Sequence, residues 1–178
     1  MTTFFTADTH FCHKNVISYC NRPFTSVEEM NERLISNWNE VVSNKDIIYH
    51  LGDFIFSSRK RVLEIASRLN GNIIFIIGSH DNPNHLRQIT RQVFDSKLIK
   101  INSQNIFLSH YCHKVWPKSH YGTWHLIGHS HGGLNNYTRK EGKILDVGVD
   151  THNFYPWSLK EVEEIMKSRP DNFNLVRG

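Results

Sequence analysis

Histidine and aspartate side chains recur at short spacing in this sequence, and they are the residues best able to do chemistry. The chain of 178 residues contains 12 histidines. Seven of them form three short clusters: His10 and His13, His110 and His113, and His125, His129 and His131. Histidines scattered over a surface need no special role. Clusters that follow apolar segments favour metal ligation, because neutral imidazole is a common metal ligand.

An apolar, β-branched run at residues 73–77 ends at Gly78 and is followed by Ser79, His80 and Asp81. The length of this run and the polar turns on both sides of it predict a short buried strand. Polar groups just beyond the carboxyl end of a central strand lie where α/β sheets commonly place a functional site. The sequence therefore predicts that these three side chains face such a site.

Two further predicted strands end in carboxylates. Asp8 and His10 follow an apolar run at residues 3–7, and Asp53 follows a run at residues 46–51. Residues two apart in an extended backbone point the same way, so Asp8 and His10 could hold one ion. The alternatives are that Asp8 caps the next helix and that Asp53 is an ordinary turn residue.

Apolar periodicity predicts strands and helices that alternate through the first half of the chain, followed by a strand-rich second half. Helices are expected at residues 26–43, 59–69, 83–93 and 158–167. Further strands are expected at residues 98–101, 104–108, 124–127 and 143–149. Two of these strands lead into His110 and into the pair His129 and His131.

Size and composition indicate a single domain spanning residues 1–178. The 21 basic residues exceed the 17 acidic residues, and the formal charge of +4 suits an anionic substrate without requiring nucleic acid. No apolar run is long enough for a membrane span and no export signal is evident, so we expect a cytoplasmic protein with no membrane partner. The three cysteines lack metal-binding spacing and are expected to be reduced thiols.

Taken in order, these strand-end motifs read Asp-x-His, Gly-Asp, Gly-x-His-Asp, His and Gly-His-x-His. This order resembles the calcineurin-like metallophosphoesterase superfamily over residues 6–131. The resemblance implies an α/β fold, a four-layer α/β/β/α sandwich of two mixed sheets flanked by helices. It also implies hydrolysis of phosphate esters at a dinuclear metal site, with a metal-bridging hydroxide as nucleophile. A phosphodiester is favoured, with a nucleotide or a nucleic-acid end as the suggested substrate.

The resemblance also assigns a role to each motif residue. It implies seven metal ligands: Asp8, His10 and His131 for the first ion, Asp53 as the bridge, and His110, His129 and Ser79 for the second. His80 is expected to protonate the leaving alkoxide, and Asp81 to orient His80 and raise its basicity. Two divalent ions are expected. Nitrogen and oxygen ligands without thiolate suit manganese, iron, nickel or zinc, and manganese is favoured.

Ser79 departs from the family pattern, which has asparagine at this position. A serine hydroxyl is a shorter and weaker ligand than an amide carbonyl. The substitution is either a natural variant with a tolerant second site, or a change, natural or deliberate, that weakens the second metal and the activity. We favour a loosened second site.

Three residues near the motifs are candidates for substrate binding: His13, Asn15 and Arg22. His13 and Asn15 could instead be polar residues at the start of a helix, and Arg22 could be a surface arginine. A basic and aromatic loop after His110 could stack a base or simply be solvated, and it contains His113, Lys114, Trp116 and Lys118.

Other functions remain open from the sequence. One is a phosphomonoesterase or nucleotidase. Another is a catalytically weakened member of the family that binds phosphate ligands or nucleic acid. Ser79 favours the weakened member, whereas the retained His80 argues against it.

Overall fold

The computed structural model describes residues 1–176. Nine strands are found in this part of the chain: β1 (Thr3–Thr6), β2 (Ile47–Leu51), β3 (Asn72–Ile76), β4 (Val93–Phe94), β5 (Ser96–Ile101), β6 (Gln104–Ser109), β7 (Trp124–Ile127), β8 (Ile144–Asp146) and β9 (Trp157–Ser158). The α-helices are α1 (Val16–Tyr19), α2 (Val27–Val41), α3 (Arg59–Ala66), α4 (Pro83–Leu86), α5 (Asn135–Glu141) and α6 (Leu159–Ser168). Short 3₁₀ turns occupy Ser119–Tyr121 and Val149–Thr151.

The strands form two mixed sheets. The first has the order β4-β3-β2-β1-β9, and only β9 runs antiparallel to its neighbour. The second has the order β5-β6-β7-β8, in which β5 and β6 are antiparallel and the remaining pairs are parallel. Together with the flanking helices, these sheets give the α/β fold that the sequence predicts.

Alternation along the central strands sends neighbouring side chains into two different cores. Phe4 of β1 packs in a cluster with Met30, Leu34 and other residues of α2, whereas Phe5 packs in a cluster shared with the second sheet. Successive strand residues point to opposite faces, so each central strand is buried on both sides. The carboxyl ends of these strands are thereby held rigidly at one edge of the molecule.

Two helix predictions are wrong in extent. The helix expected at residues 83–93 ends at Leu86, and α3 ends at Ala66 rather than at residue 69. Val93 instead pairs with Phe75 of β3, and the N–H of Phe75 donates to the carbonyl of Gln92. Tertiary strand pairing outweighs the helical pattern of this segment.

Other differences lie in the second half. The strand expected at residues 143–149 is shorter than predicted. The sequence does not predict the helix α5 or the strand β9. The final helix begins as expected at Ser158, where Ser158 and Glu161 form a reciprocal capping box. No helix within residues 1–176 is long and apolar enough to cross a membrane.

The loops after β1 and β2 continue the parallel pairing of these strands. The N–H of Asp8 donates to the carbonyl of Gly52, and the N–H of His10 donates to that of Asp53, both at 2.9 Å. Gly52 has a φ of 94°, which a residue with a side chain rarely adopts. This pairing brings the first two motifs side by side.

Candidate metal centre and active site

Six of the seven sequence-predicted ligands come together in two groups of three. Asp8, His10 and His131 form one group, and Asp53, His110 and His129 form the other. Within each group, one potential ligand atom of each residue lies within 4.8 Å of the other two. Four strand ends spread over more than 120 residues therefore converge on one centre.

The two groups meet at Asp53. Its Oδ2 lies 3.5 Å from Nε2 of His10 in the first group and 3.5 Å from Nε2 of His110 in the second. Burial alone would raise the pKa of Asp53, but its contact with His110 and the N–H of His80 lower that pKa below its usual range. Asp53 is therefore a carboxylate between two sets of imidazoles.

Two imidazole nitrogens in this centre have no hydrogen bond within the described residues, although each lies 3.5 Å from the Asp53 carboxylate. Nε2 of His10 and Nε2 of His110 are buried and have no hydrogen-bond partner among the described residues. Burial lowers the pKa of His10 to about 3, so its ring is neutral and offers a lone pair. Buried polar atoms normally find a partner. These two nitrogens and the nearby carboxylates suit divalent cations.

Hydrogen bonds to the other ring nitrogen fix the orientation of two histidines. Nδ1 of His110 lies 2.8 Å from the carbonyl oxygen of Leu51, and Nδ1 of His131 lies 2.7 Å from Oδ2 of Asp150. Such bonds leave Nε2 free for a metal and raise the basicity of the ring. The sequence places Asp150 after the last predicted strand, where it could close against the site, but it does not indicate this contact with His131.

Asp8 is fully buried and accepts hydrogen bonds from the N–H of His129 at 2.9 and 3.0 Å. Burial raises the pKa of Asp8 to about 7, despite the opposing charge of His131. A cation at this carboxylate would favour its ionised form. Asp8 thus links the first motif to the Gly-His-Ser-His loop through the backbone as well as through its carboxylate.

Asp146 also shapes that loop, and the sequence gives no sign of this role. Its Oδ2 accepts from Oγ of Ser130 at 2.5 Å and from the N–H of Gly132 at 3.0 Å, while Oδ1 accepts from the N–H of Gly148. Asp146 is completely buried at the end of β8. It holds the loop between His129 and His131 in place.

Most of the candidate ligands have left-handed backbone conformations. The φ angle is 56° at Asp8, 47° at His10, 56° at Asp53, 68° at His129 and 46° at His131. A non-glycine residue in this region costs about 1–3 kcal/mol and persists where the surrounding structure enforces it. The left-handed turns direct these side chains toward the centre, whereas a regular strand would direct successive side chains to opposite faces.

Ser79 lies beside Asp53. Its Oγ is 3.3 Å from Oδ1 and 3.2 Å from Oδ2 of the Asp53 carboxylate. The hydroxyl therefore points into the centre from the side of β3. Whether it ligates a metal stays a prediction.

His80 lies at the rim of the centre and is exposed. Its N–H donates to Oδ1 of Asp53 at 2.9 Å, and its ring centroid is 5.3 Å from that of His10. This position leaves the imidazole of His80 open to a molecule bound in the adjoining cavity.

Asp81 does not have the contact that the sequence predicts. All hydrogen bonds of its carboxylate within residues 1–176 come from backbone N–H groups, those of Asp53, Phe54 and Gly78. The carboxylate joins the loops after β2 and β3 rather than orienting the ring of His80. Burial raises the pKa of Asp81, although these three bonds oppose the shift.

A cavity of about 570 Å³ opens beside the centre. Its lining includes His10, Asp53, His80, His129 and His131 from the centre. Of the three predicted substrate contacts, His13 lines this cavity, whereas Asn15 lies outside its lining.

The expectations for Arg22 need correction. Its side chain is buried, and its guanidinium makes a two-pronged ion pair with Asp150 at 2.7 and 2.8 Å. The remaining N–H groups point at the carbonyls of Asp8 and Thr9 and at Sδ of Met30. Arg22 is neither a surface residue nor a free donor for phosphate, because all five N–H groups already have protein acceptors.

Trp116 in the loop after His110 is not available to stack on a base. Trp116 is buried, and its Nε1 donates to the carbonyl of Thr123 at 3.0 Å. The exposed Lys114 pairs with Glu141 at 2.9 Å. His125 is buried behind the loop and accepts from the N–H of His113, and burial lowers its pKa to about 3. The rings of Trp116 and His125 pack with Phe107 in a small core.

Comparison with known proteins identifies the class. Residues 1–148 match the model of the calcineurin-like phosphoesterase superfamily domain. The chain therefore belongs to this family, as the order of its motifs predicts.

Two relatives and one solved structure are similar to this chain. The uncharacterised protein MJ1445 of Methanocaldococcus jannaschii is 39% identical over 168 residues, which cover 90% of this chain and 89% of that protein. The gene 66 protein of Mycobacterium phage L5 is 30% identical over 89 residues, 48% of this chain and 42% of that protein. The structure of AQ665, a protein of unknown function from Aquifex aeolicus, has a TM-score of 0.72 at 23% identity and covers 92% of this chain and 98% of its own, which shows a shared fold.

Proposed function

We propose that this protein is a phosphodiesterase that works with two divalent metal ions. The observation that carries the proposal is the junction at Asp53. The Asp53 carboxylate belongs to the second group and lies 3.5 Å from Nε2 of His10 in the first group. Each group contains a buried imidazole nitrogen without a hydrogen-bond partner among the described residues. A carboxylate between two cation sites offsets the repulsion between the ions.

The residues divide between the two ions as the family resemblance implies. The proposed ligands are Asp8, His10 and His131 for one ion, Asp53 as the bridge, and His110, His129 and Ser79 for the other. Manganese is our choice among the metals that such ligands accept. When bound, two ions of this kind neutralise phosphoryl oxygens and lower the pKa of water.

His80 is the proposed proton donor to the leaving oxygen. It borders the cavity, and the backbone bond to Asp53 fixes its distance from the centre. An exposed imidazole at the rim can exchange its proton with solvent between turnovers. A general acid in this position contributes roughly 10²–10⁴ in rate.

The charge of the cavity favours a diester over a monoester. Its lining contains histidines and Asp53 but no lysine or arginine among the described residues, and the guanidinium of Arg22 is committed to Asp150. A monoester dianion carries one more negative charge than a diester anion does, and the site would have to neutralise that charge. The lining provides no side chain with a permanent positive charge for that purpose.

Hydrolysis of bis-p-nitrophenyl phosphate and p-nitrophenyl phosphate with added manganese tests the proposal. We expect faster release from the diester, and a loss of about 10²–10⁴ in His80→Ala with unchanged manganese content. His120→Ala is the matched control, since His120 lies in the 3₁₀ turn Ser119–Tyr121, away from the cavity lining.

The same assay separates the other functions. Preference for the monoester would favour a nucleotidase. Absence of turnover in protein that holds two ions would contradict an enzyme for these substrates and favour a member that only binds phosphate ligands.

A further inference from the structure

Phe56 is an exposed aromatic side chain held at the rim of the centre. It is 56% exposed, and its ring centroid lies 5.9 Å from that of His80 and 5.1 Å from that of His13. Its backbone is fixed, because its N–H donates to the carbonyl of Phe11 at 3.0 Å and Ile55 pairs with Phe11. Exposed single apolar side chains are common, so the position of Phe56 beside His80 and His13, and not its exposure alone, makes it a candidate contact for a ligand.

A second cavity of about 290 Å³ lies beside Phe56 and shares His80 with the larger cavity. We call it the Phe56 pocket, and its lining includes Phe56, Ser57, His80, Asn82, His85 and Leu86. His80 therefore stands between the metal centre and this pocket. No function described so far uses the pocket.

We propose that the Phe56 pocket binds the nucleoside on the leaving side of the phosphodiester. This inference rests on the proposed function, in which His80 protonates the leaving oxygen. A proton donor must touch that oxygen, so the remainder of the leaving group continues past His80. The Phe56 pocket adjoins His80, and its lining includes none of the proposed metal ligands among the described residues.

The chemistry of the pocket matches a nucleobase. Phe56 offers an aromatic face, and Leu86 and Val62 provide a buried apolar floor. Asn82 and His85 add polar groups at its border. A base has apolar faces and polar edges, and stacking of one base on an aromatic side chain contributes about 1–3 kcal/mol.

Tyr111 is the competing platform. It is 49% exposed, and its ring centroid lies 4.8 Å from that of His129 and 4.9 Å from that of His110. A base stacked there would lie beside the second ligand group and not beside His80. The proposal therefore requires that loss of the Phe56 ring weakens nucleoside binding and that loss of the Tyr111 ring does not.

The test compares AMP with inorganic phosphate on manganese-loaded protein. Affinities are measured by calorimetry and by inhibition of bis-p-nitrophenyl phosphate hydrolysis. We expect AMP to bind at least tenfold more tightly than phosphate, and Phe56→Ala to remove about tenfold of AMP affinity while phosphate affinity stays the same. Phe56→Tyr should retain AMP affinity, and Phe56→Leu should not.

Tyr121→Ala is the control for loss of an exposed aromatic ring, because Tyr121 is 70% exposed and lines neither cavity. Equal affinities for AMP and phosphate, or a loss of AMP affinity in Tyr111→Ala in place of Phe56→Ala, would overturn the proposal. Either result in a parent protein that still hydrolyses the diester would leave the proposed function intact. Absence of diester hydrolysis would remove the proposed function itself.

Discussion

The backbone N–H of Asp53 donates a hydrogen bond to the carboxylate of Asp81, with 2.9 Å between the nitrogen and Oδ2. The N–H groups of Phe54 and Gly78 donate to the same carboxylate, also at 2.9 Å. Asp81 therefore joins the turn that presents Asp53 to the turn that presents Ser79. Its influence on the candidate metal centre passes through the backbone.

Replacement of Asp81 by alanine should weaken both the fold and the centre. Three backbone N–H groups lose their acceptor at a partly buried position, and we expect a loss of about 3 kcal/mol in the free energy of unfolding. Manganese affinity should fall about tenfold or more, because Asp53 is no longer held in place. Urea denaturation and manganese titration measure the two effects.

The exposed Asp95 offers a matched control, and Asp95→Ala should change neither quantity. If Asp81→Ala kept full stability and manganese affinity but lost as much turnover as His80→Ala, the backbone role would be wrong. That pattern would instead support an Asp81 that orients His80.

Local patterns in the sequence predict the strands and the positions of the ligands. Phe4 and Phe5 illustrate the reason, since an apolar run bounded by turns can be read from neighbouring residues alone, and a strand buried on both faces follows from it. The resemblance of the strand-end motifs to the family then implies that Asp8, Asp53 and His131 meet. The strands can be predicted from short-range spacing, whereas the meeting of the ligands is predicted from the family resemblance.

Long-range partnerships are harder to predict. Asp150 is 128 residues from Arg22 and 19 residues from His131, and no local pattern signals that the three are in contact. The left-handed turn at Asp53 is likewise enforced by tertiary contacts, and propensity alone disfavours it. The expected contact between Asp81 and His80 fails for the same reason, because three backbone donors compete for that carboxylate.

Ser79→Asn should strengthen the second metal site. The Ser79 hydroxyl approaches the Asp53 carboxylate to 3.2 Å, so the side chain points the right way, but it is short and neutral. An asparagine carbonyl reaches further and is a better ligand. We expect the second manganese ion to bind more tightly by a factor on the order of ten in Ser79→Asn, and calorimetric titration would measure this.

Ser79→Ala is the companion variant for this comparison. If the hydroxyl ligates poorly, the alanine variant should bind the second ion as the parent protein does. Two fully occupied sites of equal affinity in both the parent and Ser79→Asn would contradict a loosened second site.

Asp150→Ala should destabilise the protein through Arg22. The two side chains form a buried ion pair, and burial would raise the pKa of Asp150 were it not for its bonds to His131 and Arg22, which lower that pKa. Removal of the carboxylate leaves a buried guanidinium without its counter-charge, at a cost of about 3–5 kcal/mol. Urea denaturation would measure this loss.

The exposed pair of Arg68 and Glu32 provides the contrast. Its ion pair lies at the surface, and Glu32→Ala should cost less than about 1 kcal/mol. The double variant Arg22→Met with Asp150→Ala should recover part of the loss seen in Asp150→Ala, since no unpaired charge stays buried. Equal losses in the free energy of unfolding for Asp150→Ala and Glu32→Ala would contradict the prediction that the buried pair matters more for stability.

Asp46→Asn should lower stability in a way that depends on pH. Oδ1 of Asp46 accepts from the N–H of Thr2 at 2.6 Å, and Oδ2 accepts from the N–H and Oγ of Ser43 at 2.9 and 2.7 Å. The bonds from Thr2 and Ser43 lower the pKa of Asp46 from 3.8 to about 2. In Asp46→Asn, the side-chain NH₂ would face one of the donors on Thr2 or Ser43, and the hydrogen bond from that donor would be lost.

The sign of the pH dependence follows from that shift. The unfolded chain takes up a proton at Asp46 near pH 3.8, whereas the folded chain does so near pH 2. The stabilisation by the carboxylate is therefore complete above about pH 5 and is lost as the pH falls from about 4 towards 2. We expect the difference in urea midpoint between the parent and Asp46→Asn to be constant at neutral pH and to shrink over this acid range. A difference that stays constant down to pH 3 would show that the ionised carboxylate is not what Thr2 and Ser43 bind.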